Sequence, residues 1–179
     1  VHVVWTHTWY DPAKEREGAE SLVDIGVDII AQHQDSSAAQ QVAESKGIYS
    51  IGYNSDMASF APKAHLTAPV WNWTPFYIKT VKEVYDGKWQ TSSYWGDMKD
   101  GTVGLAPFGP MVPEDIKTLV EKEKQDFIDG KLDVFSGPIK DQQGKVKIPK
   151  GKNLTYTDKD LVEMEWLVEG VAGELPGKQ

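Results

Sequence analysis

The residues able to do chemistry gather at four places where a short apolar run gives way to a polar loop. Val1-His2-Val3-Val4-Trp5-Thr6 is followed by His7-Thr8-Trp9-Tyr10-Asp11-Pro12, and Val27-Asp28-Ile29-Ile30-Ala31 by Gln32-His33-Gln34-Asp35-Ser36. Ile48 to Gly52 leads to Asn54-Ser55-Asp56-Met57, and Leu66 to Val70 leads to Trp71-Asn72-Trp73. If the runs are neighbouring strands, one rim collects Trp9, Gln34, Asp35, Asn54, Asp56 and Trp71. Aromatic faces stack on a planar ring, while carboxylates and amides meet the hydrogen-bonding groups on its edge. The mixture suits a heterocycle of nucleobase size. Each residue also has a plainer reading. Trp9 could pack over the sheet edge, and Asp35 and Asp56 could cap helices or close turns. His7 and His33 read as hydrogen-bonding groups rather than metal ligands, because neither stands at a ligand-pair spacing. Glu163 and Glu165 read as a solvated helix face. No Gly-rich phosphate loop, Gly-x-Ser-x-Gly elbow or kinase-type motif occurs, so no catalytic residue, metal or cofactor is expected.

The elements that must position these residues alternate in the first half of the chain. Val1 to Thr6 reads as a strand. Asp11-Pro12 then suits a cap and first helical turn, with a helix to about Asp24 that puts Ala19, Leu22 and Val23 on one face before Gly26. A second strand spans Val27 to Ala31, and Ser36 caps a helix through Val42 and Ala43 that ends at Gly47. Ile48 to Gly52 and Leu66 to Val70 complete the strands. Strand-helix alternation of this kind predicts a parallel sheet, in which ligands bind beyond the carboxyl ends of the strands. The second half differs. Helices are expected over Thr74 to Tyr85 and after Pro113, each stopped by an Asp-Gly-Lys turn. Gly101 to Phe108 reads as a strand of a different sheet, Val134 to Ile148 as a hairpin around Asp141-Gln142-Gln143-Gly144, and Asp158 to Val168 as a last helix.

Composition narrows the function classes. The net charge of -8 gives no pull toward nucleic acid, and none is expected as a partner. Zero Cys excludes disulfides and thiolate catalysis. Seven Trp and seven Tyr exceed what an ordinary core asks for and fit a surface that grips a flat object. No apolar stretch approaches the roughly 18 residues of a membrane span. The chain opens inside an apolar run, which reads as a mature or shortened piece whose targeting signal lay upstream.

Trp5-Thr6-His7-Thr8-Trp9-Tyr10-Asp11-Pro12-Ala13-Lys14-Glu15, Gly26-Val27-Asp28-Ile29-Ile30-Ala31-Gln32, Ile51-Gly52-Tyr53-Asn54-Ser55-Asp56 and Phe135-Ser136-Gly137-Pro138-Ile139-Lys140-Asp141 together resemble the BMP (basic membrane protein) family. These are substrate-binding lipoproteins of ABC transporters that carry purines and nucleosides. The resemblance implies an α/β, Rossmann-like parallel sheet lobe of a type I periplasmic-binding-protein fold, with the first lobe absent. Residues 1–90 would form the ligand-binding lobe, and 91–179 a return segment that packs on the missing amino-terminal lobe or on a second chain. The implied partners are a purine-like solute and the transporter's membrane subunits. The implied location is the periplasm, or a lipid anchor on the cell membrane. The family's aromatic stacker falls on Trp9, and its small-residue ligand loop on Gln34-Asp35-Ser36. Its ribose-contacting Asp falls on Asn54, with Asp56 retained, and its Lys falls on Trp71. A carboxylate at 35, an amide at 54 and a Trp at 71 favour a free base, or another flat and partly cationic ring, over a nucleoside. The same fold also serves sensory and regulatory ligand-binding domains, which is the alternative; an enzyme would need a nucleophile or metal cluster that the sequence lacks.

Overall fold

Asp11 opens the first helix of the computed structural model as the sequence predicts. Its carboxylate accepts from the backbone N–H groups of Ala13 and Lys14, both at 3.2 Å, ahead of α1 (Pro12–Asp24). The structure describes residues 1–177 and divides into two compact units, Thr6–Ile128 and Val1–Trp5 with the residues from Asp129 on.

In the larger unit α1 packs on α2 (Ala38–Lys46), which Gly47 ends in the left-handed conformation at φ 72°. Strands β1 (Ile29–Ala31), β2 (Tyr49–Ile51) and β3 (His65–Thr67) form a parallel sheet in that order. Ala19, Ile30, Ala39, Val42, Ala43, Ala61 and Ala64 make its core, flanked by Leu22, Val23, Val27 and Ile48. Small residues on the facing helices let their backbones come close without voids.

The expected fourth strand, Leu66 to Val70, divides. β3 ends at Thr67, and β4 (Pro69–Trp71) pairs antiparallel with β5 (Val103–Leu105) in a separate two-stranded sheet. Pro69 has no N–H to extend the parallel ladder, which beyond it is reduced to a single parallel bridge between Asn54 and Val70. The separate sheet over Gly101 to Phe108 is thus present, as expected. Helices α3 (Thr74–Tyr85) and α4 (Glu114–Ile128) follow the predicted spacing, and neither contains a buried residue.

Two expected elements are corrected. Val1 to Thr6 is not a strand: His2 makes a single parallel bridge to Ala172, and Val3 N donates to the Ala172 carbonyl at 3.0 Å. The apolar run meets an extended partner that matches it for too few residues to build a ladder. The last helix covers only α5 (Lys159–Val162) instead of Asp158 to Val168. Beyond it the backbone is drawn onto the hairpin: Gln142 N donates to the Leu167 carbonyl at 3.1 Å and Glu169 N to the Lys140 carbonyl at 2.9 Å. That hairpin, β7 (Ile139–Lys140) with β8 (Val146–Ile148), turns through Asp141 to Gly144 as predicted but begins at Ile139 rather than Val134. β6 (Phe135–Ser136) pairs with β9 (Asn153–Leu154), and Ile148 and Leu154 are buried. Among the described residues no helix is long and apolar enough to cross a membrane.

Candidate ligand-binding site

Three polar loops lie at the carboxyl ends of β1, β2 and β4, and the segment leading into α1 joins them. Asp35 N donates to the Trp9 carbonyl at 2.9 Å, tying the loop after β1 to the segment before α1. Gln34 adds to this seam. Its carbonyl faces the Thr6 hydroxyl at 2.6 Å, while its NH2 donates to the carbonyls of Thr8 at 2.7 Å and Trp9 at 3.3 Å. A third tie is buried: Glu15, only 2% exposed, accepts from Asp11 N at 3.0 Å and from the Ser36 hydroxyl. Ser36 also takes the N–H of Ala38 at 3.2 Å, so it serves the start of α2 much as a cap does.

On this platform four rings run in a row. Trp9 and His33 have centroids 5.6 Å apart, His33 and Tyr53 4.2 Å, and Tyr53 and Trp71 6.4 Å with an edge-to-face angle of 86°. Trp9 is 64% exposed and Trp71 40%, so both ends of the row keep ring surface in solvent. A hydrogen-bonded chain runs alongside. The Trp71 indole N–H donates to Asn54 Oδ1, and Asn54 Nδ2 donates to Asp35 Oδ1 at 2.8 Å. Asn54 holds a left-handed backbone at φ 66°, which Asn tolerates better than most side chains.

Of the six residues expected to meet ligand, Trp9, Asp35, Asn54 and Trp71 therefore share one edge and touch in sequence. Gln34 spends its amide on the backbone of the neighbouring loop. Asp56 turns the other way, where its Oδ1 accepts from Ala58 N at 2.9 Å and lies 3.7 Å from His65 Nε2. His33, which the sequence offered only as a hydrogen-bonding group, and Tyr53 complete the row. Each stands two residues beyond a strand that feeds the same rim.

Beneath the rim sits a buried polar cluster. The Ser50 hydroxyl donates to Gln40 Oε1 at 2.6 Å, and His65 Nδ1 lies 3.3 Å from the same oxygen. Burial holds the His65 pKa below its ordinary 6.5, with the nearby Asp56 carboxylate opposing the shift. Gly52 is needed above this cluster, because a Cβ there would stand 3.1 Å from Ala68 Cβ and 3.2 Å from His65 Cε1. Among the described residues no group of three or more His, Asp or Glu could hold a metal ion.

Comparison with known proteins places this geometry in a family. The family described as ABC transporter substrate-binding protein PnrA-like (Bmp) matches residues 1–132. A purine-binding protein of Brucella abortus is 45% identical over 176 residues, covering 98% of this chain and 49% of its own. A Haloferax volcanii protein, provisionally named an ABC transporter glucose-binding protein, is 35% identical over 97% of this chain and 41% of its own. The chain thus spans about half the length of the curated relatives it matches. In fold it is similar to an ABC transporter solute-binding protein of Aeropyrum pernix, with a TM-score of 0.59 over 89% of this chain, 49% of that one and 16% identity. The family match and the identity to these relatives agree, and the chain belongs to the Bmp family of PnrA-like ABC transporter substrate-binding proteins.

Proposed function

We propose that this chain grips a purine base, captured outside the cytoplasmic membrane for delivery to the membrane subunits of an ABC importer. The observation that carries this reading is the ring row from Trp9 to Trp71, flanked by the Trp71–Asn54–Asp35 hydrogen-bonded chain. Ring faces exposed at both ends offer stacking to a flat solute, and each stacked base–aromatic pair is worth roughly 1–3 kcal/mol. The name of the Brucella relative points to the same ligand class. In this reading the groups bind the solute and carry out no chemistry on it. In the Haloferax relative glucose is the named solute, so a sugar is the natural competitor to include in any test.

Base is preferred to nucleoside in this reading. Asn54 and Trp71 stand where the resembling family carries a ribose-contacting Asp and a Lys, and both are engaged with each other. Little is then left to hold a ribose.

The chain would supply one wall of a two-lobed clamp, with residues to about 90 as the ligand lobe and later residues returning to the other lobe. Support comes from the outer face of α3. Tyr77, Ile78, Val81 and Tyr85 stand 61%, 65%, 68% and 90% exposed, an apolar stripe too long to be left in water. Val103, Leu105 and Phe108, in and just after β5, are half-buried, so the stripe on α3 is the stronger docking face. Closure of a second lobe excludes water and strengthens each polar contact to the solute. The location outside the membrane, free or on a lipid anchor, belongs to the same proposal. Competition binding of adenine, hypoxanthine, adenosine and glucose to the full-length protein tests it. Bases should bind most tightly; tighter binding of adenosine would remove the base preference, and binding of glucose alone would remove the purine.

A further inference from the structure

We infer that Asn54 is a positioning residue, and that the Asp35 carboxylate it holds is the acceptor that selects the solute by an N–H donor on the ring edge. This rests on the purine reading above and deepens it. Asn54 has one carbonyl and one NH2 to offer, and both are engaged: the carbonyl accepts from the Trp71 indole, and the NH2 donates to Asp35 Oδ1 at 2.8 Å. Rotating the amide by half a turn would set NH2 against indole N–H and carbonyl against carboxylate, so its direction is fixed by its two neighbours. The sequence marks Asn54 as a ligand contact; its bonding makes it a brace between a ring and a carboxylate.

Asp35 is then the carboxylate at this edge with capacity to spare. Its Oδ1 takes the Asn54 N–H, its backbone N–H goes to the Trp9 carbonyl, and Oδ2 has no partner among the described residues. No Lys or Arg among the described residues pairs with it. An ionised carboxylate only accepts. A ring edge carrying a ring N–H or an exocyclic amine satisfies it, and an edge of bare acceptor nitrogens or carbonyls is repelled. The Trp71 ring and the Asp35 carboxylate are coupled through Asn54, so the stacking surface and the edge reader are set together.

Calorimetry on the full-length protein with hypoxanthine and its singly N-methylated derivatives tests this. In the wild-type protein one methyl derivative should bind about 10- to 100-fold more weakly than hypoxanthine, the size expected for losing a hydrogen bond to a charged acceptor. In Asp35→Ala that ratio should collapse, because the lost donor no longer has a partner, as in a double-mutant cycle. Trp71→Phe keeps a ring but frees the Asn54 amide, and should narrow the same ratio. A ratio unchanged in Asp35→Ala, or equal binding of every derivative by the wild-type protein, would overturn Asp35 as the reader. A ratio that collapses in Asp35→Ala but survives intact in Trp71→Phe would overturn Asn54 as its brace. Failure of the wild-type protein to bind hypoxanthine or adenine at all is a different result, and removes the purine reading itself.

Discussion

Trp9 ends the ring row with more free surface than Trp71, and its backbone carbonyl is held by both Asp35 and Gln34. The ring is presented by a fixed backbone, so truncating it removes stacking without loosening the loop. Trp9→Ala should weaken solute binding by about 1–3 kcal/mol with little change in melting temperature. Unchanged affinity by calorimetry would take Trp9 out of the site. At this scale the sequence places residues better than it aims them. That Trp9, Asp35, Asn54 and Trp71 gather at one rim was legible because each stands at or beyond the end of a strand, or ahead of a helix, on the same side of the sheet. The inward turn of Gln34 and the downward turn of Asp56 were not, since side-chain direction depends on partners that only folding supplies: the Thr8 and Trp9 carbonyls in one case, Ala58 N and His65 in the other. His33 and Tyr53 escaped for a related reason. An isolated His or Tyr in a loop has no periodicity to mark it, and its value here is as a neighbour in a stack.

Helices and loops are stitched together by buried polar groups, and these set the stability of the rim. Glu15 on α1 holds Asp11 N and the Ser36 hydroxyl at once, from a site 2% exposed. Glu15→Ala should cost about 1–3 kcal/mol, the penalty for leaving buried donors unpaired, and denaturant unfolding measures it. A loss no larger than that of a surface substitution would show that the two loops hold without it. His65 makes stability pH-dependent. Burial lowers its pKa below 6.5, so as the pH falls the unfolded chain takes up the proton before the folded one does. Its contribution is full above about pH 6.5 and declines below it as the pH falls toward the depressed pKa. The melting temperature should therefore drop on acidification from neutral pH, and Asp56→Asn should deepen the drop by removing the charge that favours the imidazolium. An identical pH profile in the two proteins would show that Asp56 does not reach His65 across 3.7 Å. The helices α1 to α4 and the parallel core strands were legible from caps, glycine stops and apolar spacing. The first strand and the last helix were not. Each depends on a distant segment, Ala172 for one and the β7–β8 hairpin for the other, and local pattern carries no record of such partners.

At the scale of the whole molecule, the chain carries a rim of rings and polar groups and, on α3, an exposed apolar stripe. Tyr77, Ile78, Val81 and Tyr85 of α3 all stand exposed, so the 179-residue chain alone should self-associate. Replacing Ile78 and Tyr85 together by Lys should lower the mass seen by light scattering while leaving the melting temperature nearly unchanged, as expected for exposed positions. A monomer before and after the change would mean that the stripe is simply solvated. The fold class was legible at this scale because strand-helix alternation admits few arrangements. The proposed ligand, a free purine base, is open to a single experiment. Full-length protein is titrated calorimetrically with hypoxanthine, adenine, adenosine and glucose under one set of conditions, with Trp9→Ala beside the wild type. The free bases should bind most tightly, and Trp9→Ala should weaken their binding. Glucose binding with no response to either base, or base binding indifferent to Trp9, would contradict the proposal.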